Sequence, residues 1–301
     1  MLTPRSYSLN SSLKQSFSKP FLTLDEQLAQ LKYRGMKFHD EKVAKHYLEH
    51  LNYYRLGGYW LPFEADHETH TFKENVYFED VLNLYIFDRE LRLLILDIIE
   101  RIEVSIRSKF AHHLAECFGS HAHLNPKLFH SSDNYYKTLL KLKSEIDRNK
   151  NELFIKHHFD KYNEELPPIW VCVEVMTLGQ ISNWYSNLKE RKHRQAIAKD
   201  YELDEKILSS FLHHLTTVRN VAAHHSRLWN RKFTIDFVLP NHPSELNQKF
   251  NQSSKKYIYN TLIMCEYLMD TISKDSMWKN RLEELLCTHK IDTTKMGYIS
   301  I

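Results

Sequence analysis

An arginine and a histidine, Arg219 and His224, stand five positions apart near the end of a predicted helix. Histidine titrates near neutral pH, so its imidazole can both accept and donate protons. Arginine stays charged, and its planar guanidinium can hold two phosphate oxygens at once. Asn220, beside the arginine, can orient a hydroxyl or a phosphate. These residue types suit chemistry at a phosphodiester, and above all at RNA, whose own 2′-hydroxyl can attack the neighbouring phosphate.

The segment around this pair contains no acidic residue between Arg219 and Arg231. Because Mg²⁺ prefers carboxylate oxygens, the segment is poorly suited to that metal. We therefore predict no metal site and no cofactor. Spacing alone leaves a second interpretation open, in which the helix has a solvated polar face and Arg219 has a purely structural role.

A helix that opens at Asp204 is predicted to position the pair. Its apolar seam repeats at three- and four-residue steps and comprises Leu208, Phe211, Leu212, Leu215, Val218 and Ala222. A polar stripe lies on the other side and comprises His213, Thr217, Asn220, His224 and Arg227. Arg219 stands about 140° around the helix from His224. The two side chains converge only if the helix ends near Ala223, if Arg219 bends around the edge, or if two copies of the helix face each other.

The rest of the chain is predicted to be all-α. It holds only 6 glycines and 8 prolines in 301 residues, too few for the turns of a β-sandwich or the glycine-rich loops of nucleotide-binding α/β folds. The strongest helical pattern runs from Tyr77 to Phe118, with a bend or break expected near Asp88. Residues 53–60 are predicted to form a turn between packed aromatic side chains, and residues 241–253 a polar loop.

Other residue types limit the class of protein. The four cysteines are scattered without a CxxC pair, which argues against a zinc knuckle or a disulfide framework and favours a reducing cytoplasm. The N-terminus has no apolar signal region, and no run of 18 apolar residues occurs, so we expect a cytoplasmic protein without a membrane partner. The net charge of +3 does not by itself indicate nucleic acid.

The 19 histidines invite a search for metal ligands. His46 and His50 have a spacing that can bind zinc, but no third ligand is evident. Three histidine doublets are predicted to be helix-surface residues, because adjacent side chains diverge by about 100°. These doublets are His112-His113, His157-His158 and His213-His214. Glu100 and Glu103 could orient Arg219, although ion pairs with Arg101 or Arg107 are favoured.

The motif and its neighbours resemble a known family. Residues 219–224, RNVAAH, resemble the R-N-x-x-x-H form of the motif of HEPN ribonucleases, and residues 224–231, HHSRLWNR, resemble a block of the Abi-like (abortive infection) phage-resistance proteins. Further blocks agree in the same order over about residues 20–300. They are Gln27 with Arg34-Gly35, YYRL at 53–56 with Trp60, FDRELR at 87–92, IEV at 102–104, PIW at 168–170, LGQIS at 178–182 and Met296-Gly297.

The resemblance implies a HEPN-type helical bundle with additional N-terminal and C-terminal helices. Residues 1–20 would be a flexible leader and 21–301 a single Abi-like domain, with the HEPN core at about 77–290. A homodimer would bring two motifs into one cleft that cleaves RNA without metal, leaving a 2′,3′-cyclic phosphate. His224 would act as acid and base, Arg219 would hold the phosphate and Asn220 would orient. Weaker candidates for holding the RNA backbone are His225, Arg227, Asn230 and Arg231.

Two other functions stay open at this point. The same basic stripe could grip an RNA or a protein without cleaving it, as a binding module regulated by a partner RNA or an antitoxin. A metal hydrolase that uses the histidines is a third hypothesis. Under the nuclease hypothesis the partners are the RNA substrate, a second copy of the chain and a regulatory non-coding RNA.

Overall fold

The computed structural model describes residues 18–130 and 132–299. Most of the predicted leader, residues 1–17, lies outside the described residues. Thirteen α-helices occur in the described part of the chain, which is 68% helical, and the only sheet found there has two short strands. This confirms the all-α prediction. None of the helices in the described residues combines the length and the apolar character that crossing a membrane requires.

The first of two compact units extends to Leu82. Its elements are α1 (Leu24–Tyr33), α2 (Glu41–Leu51), α3 (Tyr53–Trp60), β1 (Glu64–Asp66) and β2 (Thr71–Phe72). Thr23 and Glu26 form a reciprocal capping box at the start of α1, and Asp40 accepts two backbone N–H bonds at the start of α2. These caps supply partners for N–H groups that the first helical turn leaves unpaired.

The prediction of a turn over residues 53–60 is wrong, because this segment is helix α3. The chain reverses one residue earlier, at Asn52, whose φ of 65° lies in the left-handed region. The Asn52 side chain then caps the new helix by accepting from the Tyr54 N–H at 2.9 Å. The aromatic packing is present, with Tyr53 and Trp60 in an edge-to-face contact at 4.8 Å between ring centroids.

The small hairpin was not predicted, since strands of three and two residues are too short to show alternation. β1 and β2 pair antiparallel, with Glu64 opposite Phe72. Glu64 is buried, and its carboxylate oxygens lie 2.7 Å from His67 Nδ1 and 3.1 Å from His70 Nδ1. Two imidazoles therefore cover the one buried carboxylate of this hairpin.

The second compact unit begins at Asn83, inside the longest helix. The helices are α4 (Phe78–Phe118), α5 (Ser132–Arg148), α6 (Leu153–Lys161), α7 (Ile169–Val175), α8 (Leu178–Asn187), α9 (Arg191–Lys199), α10 (Glu205–Ala223), α11 (Ser244–Lys249), α12 (Ile258–Ile272) and α13 (Trp278–His289). The sequence also predicts a polar helix pair over residues 134–162 and two closing helices over about 254–273 and 276–288, which correspond to α5 with α6 and to α12 with α13.

The long helix α4 runs for 41 residues without the break expected near Asp88. Asp88 is fully buried, but its carboxylate has partners in Arg92 one turn later and in the backbone after α10. A buried charge with partners does not require the helix to open. The apolar face of α4 provides much of the core, and Trp278 of α13 donates from its indole N–H to the Leu94 carbonyl at 2.7 Å.

The predicted loop at residues 241–253 contains the short helix α11, so that prediction is also wrong in part. Leu246 on α11 is buried, and a single buried side chain in six residues is too little for a recognisable helical period. The predicted division into a leader, one Abi-like domain from 21 to 301 and a core at about 77–290 stays a prediction.

Candidate functional site

Helix α10 carries the arginine, and its local sequence explains its position. Asp204 caps the helix by accepting from the Lys206 N–H at 2.9 Å. Every member of the predicted apolar seam is buried, from Leu208 to Ala222. On the polar stripe His213, Asn220 and His224 are exposed. The seam thus fixes the rotation of α10 and turns the stripe towards solvent, as the period predicts.

One member of the histidine doublets on this helix departs from prediction. His213 is exposed, whereas His214 is fully buried. The ring of His214 lies 2.6 Å from the Ile235 carbonyl oxygen and 2.8 Å from Thr261 Oγ1. His158 of another doublet is buried as well, so the prediction that all the doublets lie on the surface is wrong. Adjacent side chains on a helix diverge by about 100°, so one histidine of such a doublet is exposed to solvent while its neighbour is buried.

Helix α10 ends in a Schellman motif directly at the candidate histidine. His224 is the C-cap, and His225 has a φ of 57° in the left-handed region. The Ser226 N–H donates to the Val221 carbonyl and the His225 N–H to the Ala222 carbonyl, both at 3.0 Å. The chain therefore turns away after His224 and leaves its imidazole exposed at the tip of the helix.

The helix end does not by itself bring the two motif residues together. α10 ends at Ala223, as one of the three sequence-based alternatives requires. The C-cap residue His224 still has a φ of −86°, close to the helical value, so its side chain leaves the helix near its regular direction. Arg219 stays about 140° away around the axis. Its Nη1 donates to Asn220 Oδ1 at 3.4 Å, so the guanidinium lies beside the amide of the motif.

Glu103 on α4 lies in the electrostatic range of Arg219. Its carboxylate accepts from Arg107 one turn later, which is the pairing that the sequence favours, and also from the Leu178 N–H at the start of α8. Burial raises the pKa of Glu103, and the two guanidinium groups of Arg107 and Arg219 act against that rise. Arg107 also donates to the Met176 carbonyl, so a half-buried ionic cluster joins α4 to the backbone at the start of α8, within electrostatic range of Arg219.

A second buried group holds the backbone that follows the motif. Asp88 accepts from the Leu228 N–H at 3.0 Å and the Trp229 N–H at 2.7 Å through one carboxylate oxygen. Arg92 pairs with the other oxygen. Leu228 and Trp229 are themselves buried. α4 thereby fixes the course of the chain just beyond the Schellman turn. The sequence does not predict this role of Asp88. The signal that could have indicated it is a charged residue on the apolar face of a helix.

The weaker candidate residues differ in exposure. His225 and Arg231 are exposed, and Arg227 is half-buried. Asn230 is half-buried too, and its Oδ1 atom has no hydrogen-bond partner among the described residues. Because this oxygen is buried, it faces the protein rather than solvent. His225 and Arg231 are therefore the members of this set best exposed to a polyanion.

The match to known families covers this site. Residues 46–230 match the family described as Abi-like protein, well over half of the chain. The chain belongs to the Abi-like family. The matched region contains Asp88, Glu103, Arg219 and His224 and ends at Asn230. At the level of the family, membership associates this Abi-like chain with abortive infection, a form of defence against phage. No curated protein and no solved structure matches the chain.

Proposed function

We propose that this Abi-like chain is a metal-independent endoribonuclease of the HEPN type that cleaves RNA during phage defence. The observation that supports it is the exposed imidazole of His224 at the tip of α10, preceded by Arg219 and Asn220 in a segment without acidic residues. A proton carrier beside a fixed cation is the minimum that phosphodiester transfer without metal requires.

The proposed reaction uses the 2′-hydroxyl of the RNA as nucleophile. The 2′-oxygen forms a bond to phosphorus, the bond from phosphorus to the 5′-oxygen breaks, and a 2′,3′-cyclic phosphate and a 5′-hydroxyl remain. An imidazole of His224 takes the proton of the 2′-hydroxyl, and an imidazolium supplies one to the leaving 5′-oxygen. Arg219 stabilises the negative charge that grows on the non-bridging oxygens. Asn220, already hydrogen-bonded to Arg219, orients that guanidinium.

The direction of the side chains supports a homodimer. Within one copy, Arg219 and His224 leave the helix about 140° apart, which is unsuited to gripping one phosphate from opposite sides. Two α10 tips facing each other across a twofold axis would place each exposed His224 near the partner's motif. One imidazole could then act as base while its symmetry mate acts as acid.

The test is cleavage of a labelled RNA by the purified full chain in EDTA, with the product ends analysed for cyclic phosphate. We expect His224→Ala and Arg219→Ala each to lower the cleavage rate at least about 100-fold, the range of a lost acid–base group or charge stabiliser. His213→Ala is the matched control, because His213 is an exposed histidine of the same stripe outside the motif. It should leave cleavage unchanged.

Full cleavage by His224→Ala would exclude the proposal. RNA binding by the wild-type chain without cleavage in any condition would instead support a binding module. Light scattering of the purified protein, with and without RNA, tests the dimer, and a nuclease of this design should lose specific activity on dilution below its dimer dissociation constant. A chain that is monomeric throughout while cleaving RNA would contradict the shared cleft.

A further inference from the structure

Three soft or borderline metal-binding side chains converge at the far end of α4 from Asp88. His113 and Cys117 are four residues apart on α4, so they share one face of the helix. His193 comes from α9, whose first turn packs against that face. His113 Nε2 lies 3.0 Å from His193 Nδ1 and 3.9 Å from Cys117 Sγ. The three donor atoms all lie within 4.8 Å of one another.

We infer that His113, Cys117 and His193 form a zinc site with two nitrogen ligands, one thiolate and a fourth position open to water. Zinc binds imidazole nitrogen at about 2.0–2.1 Å and thiolate at about 2.3 Å, so neighbouring ligand atoms of a tetrahedral site are about 3–4 Å apart. Two of the distances here already fall in that range. A small rotation of the exposed Cys117 side chain brings the third donor into place.

The surroundings prepare the two imidazoles for a metal. Imidazole binds zinc through a nitrogen that carries no proton. The Phe118 ring packs edge-on against His193 at 4.8 Å between centroids and restricts its orientation. Cys117 is exposed, which leaves a route for the ion.

The protons of the two imidazoles and of the thiol can be accounted for when zinc binds. Without metal, one of the two neutral imidazoles donates its N–H to the other across the 3.0 Å separation. When zinc binds, that ring carries its proton on its other nitrogen, and both facing nitrogens become ligands. Cys117 binds as thiolate, so each zinc bound releases the thiol proton. No oxidant or reductant takes part.

Such a zinc would join two helices and is separate from the proposed nuclease. It would tie the end of α4 to the first turn of α9, where the contact between the His113 and His193 rings and the packing of Phe118 already join the two helices. Along α4, His113 lies ten residues beyond Glu103, or about 15 Å. The prediction of no metal site rested on the lack of carboxylates near Arg219, of a CxxC pair and of a third ligand for His46 and His50. That reasoning does not see ligands supplied by two helices far apart in sequence.

The experiment uses the reduced, purified full chain, stripped with EDTA and then dialysed. Zn²⁺ is titrated in competition with a chromophoric chelator, and Co²⁺ is added in a parallel sample to record its absorption spectrum. The test variants are Cys117→Ser and His193→Gln. The matched controls are Cys287→Ser, at another exposed cysteine, and His112→Gln, at the exposed neighbour of His113 on α4.

We expect one zinc per chain, a thiolate-to-cobalt charge-transfer band, and a melting temperature that rises on adding zinc. Cys117→Ser should abolish the charge-transfer band, and each test variant should weaken zinc binding at least tenfold and cancel the melting shift, while both controls behave as wild type. Absence of stoichiometric binding by the wild type, or an unchanged cobalt spectrum in Cys117→Ser, would overturn the zinc site. RNA cleavage in EDTA is measured separately, so neither proposal depends on the other.

Discussion

Asp88 is not one of the candidate site residues, but it holds the backbone that follows them. Its carboxylate is completely buried, a position that costs several kcal/mol for an ion without partners. The side chain of Arg92 and the backbone N–H groups of Leu228 and Trp229 supply those partners. Replacing Asp88 by alanine therefore removes one partner of a buried guanidinium and the acceptor of two backbone N–H groups at the same time.

We predict that Asp88→Ala lowers the free energy of unfolding by about 3–5 kcal/mol, the usual cost of leaving half of a buried ion pair. Asp97→Ala on the same helix is the matched control, since Asp97 makes more exposed ion pairs with Arg101 and Arg281 and should cost less than about 1 kcal/mol. Urea unfolding followed by circular dichroism measures both. Equal losses in the two variants would contradict the role given to Asp88.

The sequence predicts which residues form the candidate site better than it predicts the contacts that hold them in place. The types and spacing of Arg219, Asn220 and His224 single out α10, and its period correctly places Asn220 and His224 on the exposed face. Asp88 depends on backbone groups about 140 residues away and Glu103 on Leu178 and Arg219, and one chain gives no pattern for such pairs. That is why the sequence suggests the chemistry of the site but not what holds its backbone.

Among the elements, the helices follow from capping residues and apolar period, and one of the errors comes from glycines. The prediction treats Gly57 as part of a turn, yet it lies inside helix α3, whereas Gly179 is the second residue of α8, directly after the break between α7 and α8. A Cβ on Gly179 would lie only 3.1 Å from Thr216 Cγ2, so this glycine allows α8 and α10 to approach closely. Close approach and chain reversal both favour glycine, and sequence alone does not separate them.

The end of α10 gives a test at the level of the element. His225 occupies the left-handed position of the Schellman motif, where a Cβ is unfavourable and glycine is the usual residue. We predict that His225→Gly is more stable than His225→Ala by about 1 kcal/mol, since both variants lose the imidazole and only the alanine has a Cβ. Thermal and urea unfolding of the pair measure the difference.

The same two variants distinguish the effect of His225 on stability from its effect on RNA binding. If His225 contributes to RNA binding only through its ring, the two variants should weaken binding equally while they differ in stability. Equal stability of His225→Gly and His225→Ala would show that the chain does not keep a left-handed residue after His224. The position of His224 at an exposed helix tip would then lose its support.

For the whole molecule, the buried histidines make the free energy of unfolding depend on pH. Burial lowers the pKa of His123 to about 4, and it is also the first cause of the lowered pKa values of His113, His193 and His214. Each of these rings binds a proton more readily in the unfolded chain, where the reference pKa is about 6.5. The unfolded state therefore takes up more protons than the folded state as the pH falls below that value.

The sign of the pH dependence follows directly. Because the folded state keeps His123 neutral, the contribution of His123 to the free energy of unfolding is fully present above about pH 6.5. It falls as the pH drops towards 4, where the ring begins to bind a proton in the folded state as well. For His123 alone, the full difference between the two states is about 3 kcal/mol. The ring is completely buried, and its Nδ1 has no partner among the described residues, so nothing there favours the charged form.

We predict that the wild-type chain, kept in EDTA so that no metal holds His113 or His193, loses stability steadily between pH 7 and pH 5. His123→Met, which fills a similar volume without a titrating group, should lose about 2 kcal/mol less over the same interval. Urea unfolding at several pH values measures both slopes. Parallel curves for the two proteins would mean that His123 is already protonated or solvated in the folded chain. The acid sensitivity would then have to come from His214 and the other buried rings.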